Sequence, residues 1–289
     1  MIKKAVLPVA GFGTRLLPMT KEMPKEMLPV FLDSINGGPC IKPIVQAIYE
    51  QLYDSGFREF SFIVGRGKRA IEYHFTPDEG FIKEMEQKNK ANLAEELRNF
   101  YRRIGDSTIV FINQPEPKGF GDAVLKARSF VNEDFLVHAG DTFVFPEKCN
   151  HISRLVENHI KLNDDATILV QEVEDPRIYG VVEGEKVESG LYRVKKAVEK
   201  PEKPQTNLEI MPIYIFDPVI FKALDATPQD KGGEMQLTDG IQRLIDWGLK
   251  VYAVKLPPEA IRLDIGNPES CWEAFNMSYQ NLKKNRPNA

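Results

Sequence analysis

Short apolar, β-branched runs alternate with stretches of helical period along this chain of 289 residues, the pattern of an α/β fold built on a mainly parallel sheet. Lys4 to Val9 reads as a first, buried strand. Pro43 to Ser55 carries apolar residues at 44, 45, 48, 49 and 52, one face of a helix, and Gly56 closes it. Strands follow at Glu59–Val64 and Thr108–Ile112, a helix at Gly119–Phe130, and a strand at Phe135–Ala139 that runs into Gly140-Asp141. Strand signals then crowd together at Thr167–Glu172, Gly180–Glu183, Tyr192–Glu199 and Glu209–Phe216. Helical periods return at Gln236–Trp247 and Glu269–Leu282, with strands near 250–255 and 261–264.

Residues 78–105 interrupt this rhythm. Phe81, Met85, Leu93, Leu97, Tyr101 and Ile104 mark one face of a long, heavily charged helix or helix pair. Its charge reads most simply as a solvated face, with a subunit contact as the sharper alternative. With no internal repeat, low-complexity stretch or Gly/Ser-rich linker, the chain reads as a single domain over 1–289, decorated by a helical insertion at 78–105 and a C-terminal helix at 268–285. The net charge of −4 argues against a nucleic-acid binder. No apolar run approaches the roughly 20 residues that span a bilayer, which argues against a membrane partner. The opening segment holds too few apolar residues for a signal peptide. Cys40, Cys149 and Cys271 are odd in number and widely spaced, which fits neither a disulfide framework nor a zinc site. These features together suggest a soluble, cytoplasmic protein with reduced thiols.

The most informative stretch is Val9-Ala-Gly-Phe-Gly-Thr-Arg-Leu-Leu-Pro18, followed by Pro24-Lys-Glu-Met-Leu-Pro29. Gly11 and Gly13 follow a strand, where glycine lets backbone N–H groups approach an anionic ligand, and Arg15 and Lys25 add positive charge. Glycines that merely make a turn are the plainer reading of the loop by itself. A dinucleotide-binding fingerprint is disfavoured, because Leu16 stands where G-x-G-x-x-G needs its third glycine, and no G-x-x-x-x-G-K-[ST] occurs.

Gly11-x-Gly-Thr-Arg15 with Pro24-Lys-Glu-Met-Leu-Pro29 resembles the signature of the sugar-phosphate nucleotidyltransferases. The P-K-E-M-L-P form looks most like their uridylyltransferase branch, with the thymidylyltransferases as near relatives. The resemblance continues through Gln114 to Ala127, Ala139-Gly-Asp-Thr142, Tyr179-Gly-Val-Val182, Val198-Glu-Lys-Pro201, Gly233-Glu-Met-Gln-Leu-Thr-Asp239 and Asp264-Ile-Gly-Asn267. Each motif is modestly specific; their order and spacing together are strong. The resemblance implies a Rossmann-like nucleotidyltransferase fold with a mixed central sheet and a small accessory sheet over the sugar pocket. It also implies a homodimer or homotetramer, for which the Glu269–Leu282 helix offers a contact.

The reaction so implied is attack by the phosphate oxygen of a sugar 1-phosphate on the α-phosphorus of a nucleoside triphosphate, releasing pyrophosphate. UTP and glucose 1-phosphate are the favoured pair; the alternatives are dTTP with glucose 1-phosphate, or broad specificity among sugar 1-phosphates. The nucleophile is already an anion near neutral pH, so no protein base is required, and His74, His138, His151 and His159 are expected to be structural or surface residues. The protein must instead bring two anions together and neutralise charge on phosphoryl oxygens. By resemblance Arg15 and Lys25 meet the triphosphate, Lys200 meets the sugar phosphate, and Ala10 and Gly11 lie against the nucleotide with Gly13 in the same loop. Mg²⁺ is usually held by one or two carboxylates with phosphate oxygens and waters. Asp141 and Asp264 match acidic positions that bind it, although an aspartate after a strand is also a common turn or cap residue. Gln114 and Gly119 match the groups that read uracil or thymine; an exposed loop glutamine before Pro115 is the plain alternative. Glu199 matches a sugar-hydroxyl ligand and Gly180 a backbone contact to the sugar, while Glu234 and Asp239 line or support the pocket. A non-catalytic regulatory relative would have shed such charges, yet Arg15, Lys25, Asp141, Glu199, Lys200 and Asp264 are all present.

One departure stands out. Where the uridylyltransferase pattern has glycine and then a large residue before a tyrosine, this chain has Pro212 and Ile213 before Tyr214. Pro212 has no N–H and a fixed φ. Either its strand lies at a sheet edge, where proline is tolerated, or the floor of the sugar pocket differs.

Overall fold

The computed structural model describes residues 2–145 and 150–284. In chain order the first strands are β1 (Lys4–Pro8), β2 (Pro29–Asp33), β3 (Pro39–Pro43), β4 (Glu59–Val64), β5 (Thr108–Asn113), β6 (Phe135–His138) and β7 (Thr142–Val144). The later ones are β8 (Ala166–Glu172), β9 (Gly180–Glu188), β10 (Leu191–Glu199), β11 (Leu208–Phe216), β12 (Val251–Lys255) and β13 (Arg262–Asp264). Nine of these form one mixed sheet in the order β5-β4-β1-β6-β11-β8-β12-β10-β9. The β5-β4-β1-β6 part is parallel throughout. β11 then runs antiparallel to both β6 and β8, and β10 runs antiparallel to β12 and β9. A pairing of Glu209 with Val181 brings β9 back against β11, so this half of the sheet curls on itself. Two small ribbons, β2 with β3 and β7 with β13, complete the strands.

The helices are α1 (Ile44–Asp54), α2 (Arg69–His74), α3 (Glu79–Gln87), α4 (Ala91–Gly105), α5 (Phe120–Lys126), α6 (His151–Leu162), α7 (Val219–Asp225), α8 (Leu237–Asp246) and α9 (Pro268–Lys284). Both faces of the sheet are covered, which is why its parallel strands carry nearly continuous apolar runs. On one face Ala5, Leu7, Phe60 and Phe62 pack with Ile44, Ile48 and Leu52 of α1 and Phe100 of α4. On the other, Val6, Ile63 and Val137 pack with Val124 of α5, Ile220 and Leu224 of α7 and Ile241 of α8. Residues 78–105 form a pair of helices rather than one. Asp78 caps the first by accepting from Phe81 N at 3.0 Å, and Asn89, at φ 57°, turns the chain between them. Cys40 and Cys271 are free thiols, while Cys149 and residue 285 lie outside the described residues.

The four histidines are buried or half-buried. Burial pushes His138 down to about 4, and its Nδ1 donates to Ala139 O at 2.8 Å. Burial does the same to His74, whose Nε2 meets Gln46 Oε1 at 2.8 Å. His151 and His159 are buried along α6 with Ile152 and Leu155.

The chain leaves β1 toward β4 on one side, while β6 lies on the other. The gap between the carboxyl ends of β1 and β6 is therefore the point where strand order reverses, the usual ligand crevice of an open α/β sheet. Loop 9–13 leaves β1 there and Ala139-Gly140-Asp141 leaves β6 beside it.

Candidate active site

A cleft of about 540 Å³ opens at this crevice. Its lining includes Ala10, Gly11, Arg15, Lys25, Gln114, Gly119, Asp141, Glu234 and Asp264, residues drawn from segments more than two hundred positions apart. Phe12, Thr14, Glu26, Phe120 and Thr142 share that lining, although their sequence context assigned them no role, and Pro212 joins them. The fold thus gathers the candidates, with Gly13, Gly180, Glu199, Lys200 and Asp239 outside the lining itself. Gly13 sits just behind the loop at φ 64°, a left-handed conformation that glycine adopts without cost, and its carbonyl accepts from Thr20 Oγ1 at 2.7 Å.

Gly180, Glu199 and Lys200 lie on the curled half of the sheet. Gly180 and Glu199 face each other across β9 and β10, and Thr238 at the start of α8 donates to Glu199 Oε2 at 2.7 Å. Lys200 follows at φ 43°, its exposed ammonium 3.3 Å from Glu199 Oε1. Asp239, half-buried on the same turn of α8, is pushed up by burial and by the charges of Glu199 and Asp230.

One end of the cleft is organised by opposed charges. Lys25 donates to Asp141 Oδ2, joining the turn at Lys25–Met27 to the end of β6. Burial disfavours the lysine's charge, but Asp141, Glu26 and Asp264 outweigh it and hold Lys25 above its ordinary value. For Asp141, burial pushes upward, and the Lys25 ammonium, with Arg262 beyond it, wins and pulls the carboxyl below its ordinary value. Asp264 moves the other way, raised by burial and by the charge of Asp141. Its Oδ1 accepts from Thr142 Oγ1 at 3.3 Å across the β7–β13 ribbon. Beneath it, Arg262 grips Glu209 of β11 with hydrogen bonds of 2.9 and 3.0 Å. Glu26 is buried against Lys68 at 2.7 Å, which ties the Pro24–Pro29 segment to the loop after β4. Arg15 is exposed at the rim and forms no ion pair among the described residues.

The other end is polar and nearly neutral. Gln114, directly after β5, is buried, and its Nε2 donates to Asp122 Oδ2 at 2.7 Å and to Gly119 O at 3.3 Å. The exposed-loop alternative for Gln114 is therefore set aside. Gly119 has φ 96°, and a Cβ there would lie 2.6 Å from Met235 O, so no other residue fits this turn. Met235 N donates to Lys118 O at 2.7 Å and Gly121 N donates to Met235 O at 2.9 Å, lacing the Glu234 loop to the start of α5.

Pro212 does not lie on an edge strand. β11 is interior, between β6 and β8, and its register with β8 breaks between Ile210 and Tyr214. The proline sits in that irregularity, where no ladder N–H is called for. Its carbonyl accepts from Ala139 N at 2.9 Å and the residue lines the cleft.

Two neighbouring carboxylates beside a glycine loop and two cations fit a divalent cation with phosphate ligands. The like-charge pressure of Asp141 on Asp264 is what such an ion relieves, and Mg²⁺ needs only one or two carboxylates when phosphates and waters supply the rest. Among the described residues no three-residue His/Cys/Asp/Glu cluster offers a more complete cage.

Residues 4–281 match the profile of the nucleotidyl transferase family. The chain belongs to the nucleotidyl transferase family. Within it, a UTP–glucose-1-phosphate uridylyltransferase of Pseudomonas aeruginosa is 35% identical over 290 residues, 98% of each chain. A UDP-glucose pyrophosphorylase solved with UDP-glucose is 31% identical, with TM-score 0.83 over 97% of this chain and 100% of its own. A UTP-bound enzyme of that kind from Acinetobacter baumannii is 28% identical, with TM-score 0.82 over 99% and 100% of the two chains. This nucleotidyl transferase fold, a mixed α/β sheet with small accessory ribbons, is shared with both structures.

Proposed function

We propose that this chain transfers a uridylyl group from UTP to glucose 1-phosphate, giving UDP-glucose and pyrophosphate, with Mg²⁺ as the divalent ion. The observation that carries the reading is the cleft itself. Arg15, Lys25, Asp141 and Asp264 supply charge to its lining, and the buried Gln114 with Gly119 supplies a neutral hydrogen-bonding group, the two kinds of contact a nucleoside triphosphate calls for. The names of its relatives support the same substrates. We read 1–289 as one domain acting in the cytoplasm, as a homo-oligomer.

In this reading the backbone of loop 9–13, Arg15 and Lys25 receive the triphosphate. Lys25, held charged by its carboxylate neighbours, faces the negative charge that spreads over phosphoryl oxygens. Asp141 and Asp264 would hold Mg²⁺, which when bound screens the two anions from each other and polarises the α-phosphoryl group. Lys200 orients the sugar phosphate, while Glu199, buttressed by Thr238, and Gly180 take sugar hydroxyls. Gln114 and Gly119 read the pyrimidine. The sugar phosphate attacks as an anion, so the chain needs to supply position and charge rather than a base.

The test is direct. Protein incubated with UTP, glucose 1-phosphate and Mg²⁺ should yield UDP-glucose by mass spectrometry, and a chelator should stop it until Mg²⁺ is restored. Absence of that product under saturating substrates would overturn the reading.

Pro212 bears on the sugar. Pro212 lines the cleft beside the end of β6, and Pro212→Gly removes the bulk of its ring while restoring an N–H. One hydrogen bond to a sugar hydroxyl is worth roughly 0.5–1.5 kcal/mol, so making or breaking it changes preference several-fold. Relative kcat/KM among glucose 1-phosphate, its epimers and the 2-acetamido analogue should therefore shift in Pro212→Gly, with the UTP-to-dTTP ratio unchanged. Identical sugar ratios in the folded variant would make the proline a matter of strand packing alone.

A further inference from the structure

The amide of Gln114 is not free to choose which end it turns to the cleft. Asp122, on the first turn of α5, is buried, and its Oδ2 lies 2.7 Å from Gln114 Nε2. A carboxylate has only acceptors to offer, so it can face the NH₂ end of an amide and not the carbonyl end. The second Nε2 hydrogen goes to Gly119 O at 3.3 Å, also an acceptor only. Both amide hydrogens are committed within the protein, which leaves Oε1 as the atom Gln114 can present to a ligand. On the far side of Asp122, Lys126 Nζ lies 3.1 Å from Oδ1, so the carboxylate is held between a cation and the amide.

We infer that Asp122 is a positioning residue that makes this cleft selective for a base carrying an N–H donor at its ring edge, as uracil and thymine do at N3, against cytosine. The inference rests on the reading of Gln114 as the base-reading group. A uracil or thymine N3–H can donate to a fixed Oε1. Cytosine presents a lone pair at N3, and a lone pair against Oε1 is repulsive. A freely turning amide would meet either base by rotating half a turn, so the discrimination belongs to the acceptors behind it, foremost the Asp122 carboxylate at 2.7 Å, with the Gly119 carbonyl at 3.3 Å as the weaker second hold. Asp122 does not itself line the cleft, and it acts only through Gln114.

Asp122→Asn tests this with one atom changed. Lys126 continues to require an acceptor, so the new amide turns its oxygen to Lys126 and its NH₂ toward Gln114. Gln114 can then present its carbonyl to that NH₂ and its own NH₂ to the cleft, giving up only the longer 3.3 Å bond to Gly119 O, so the orientation that accepts cytosine becomes populated. The UTP-to-CTP ratio of kcat/KM, at saturating glucose 1-phosphate, should fall about tenfold or more, the order of one hydrogen bond exchanged for a repulsion. The change should sit mainly in KM, with kcat for UTP little altered. Should that variant not fold, Asp122→Ser, whose hydroxyl donates or accepts, releases the same constraint and should lower the ratio in the same direction. A folded variant with depressed Tm and kcat for both nucleotides but an unchanged ratio gives Asp122 a structural role only and overturns the inference. A wild-type protein that uses CTP as readily as UTP removes the base-reading role of Gln114 itself, and the inference with it.

Discussion

Lys25→Ala is expected to lower kcat by about 10²–10³, the usual cost of removing one charged partner of a transition state in a preorganised site. The loss follows from where the ammonium sits: in the cleft, donating to Asp141, and kept charged by three carboxylates despite its burial. The same change strips Asp141 of its counter-charge beside Asp264, so Tm should fall too. Adding Asp141→Asn to Lys25→Ala removes the stranded charge and should recover Tm without recovering activity. Steady-state kinetics and thermal melts on the single and double variants check this. A kcat/KM near wild type in Lys25→Ala would remove the Pro24–Pro29 segment from the triphosphate.

Asp141→Asn should be as damaging to turnover, on the order of 10²-fold or more, yet mild in stability. The substituted amide keeps an oxygen for Lys25, so the joint between β6 and the Lys25–Met27 turn survives. What it loses is the negative charge that, with Asp264, would hold the divalent ion. Raising Mg²⁺ should restore only part of the rate. Turnover within a few-fold of wild type at saturating Mg²⁺ would take Asp141 out of the metal site.

The parallel half of the fold was legible in the sequence because strands buried on both faces must be apolar throughout, as Ala5, Val6 and Leu7 are. α6 was not, since His151 and His159 stand in its buried stripe and break the apolar pattern that marks a helix face. The β2–β3 ribbon was hidden by Pro29, Pro39 and Pro43 at the strand ends. In the cleft, side chains with a matched role were readable, whereas their supports were not, even where Asp122 and Thr238 stand inside the motifs themselves. Thr238 behind Glu199, Asp122 behind Gln114 and Lys68 behind Glu26 act across 39, 8 and 42 positions, and such pairings leave no local signature. Glu26 and Thr142 stood inside recognisable motifs without a role until the fold placed them at the cleft. Pro212 shows the reverse case. Its chemistry was plain from the sequence, but only the register break in an interior strand decides how it is accommodated.

The measurement closest to the central claim is pyrophosphate release with UTP, dTTP, CTP and GTP crossed against a panel of sugar 1-phosphates. The account predicts that release requires both substrates and a divalent cation, and that kcat/KM is highest for UTP with glucose 1-phosphate and far lower for CTP and GTP. Release without a sugar phosphate, preference for GTP, or no release with any pair would contradict it.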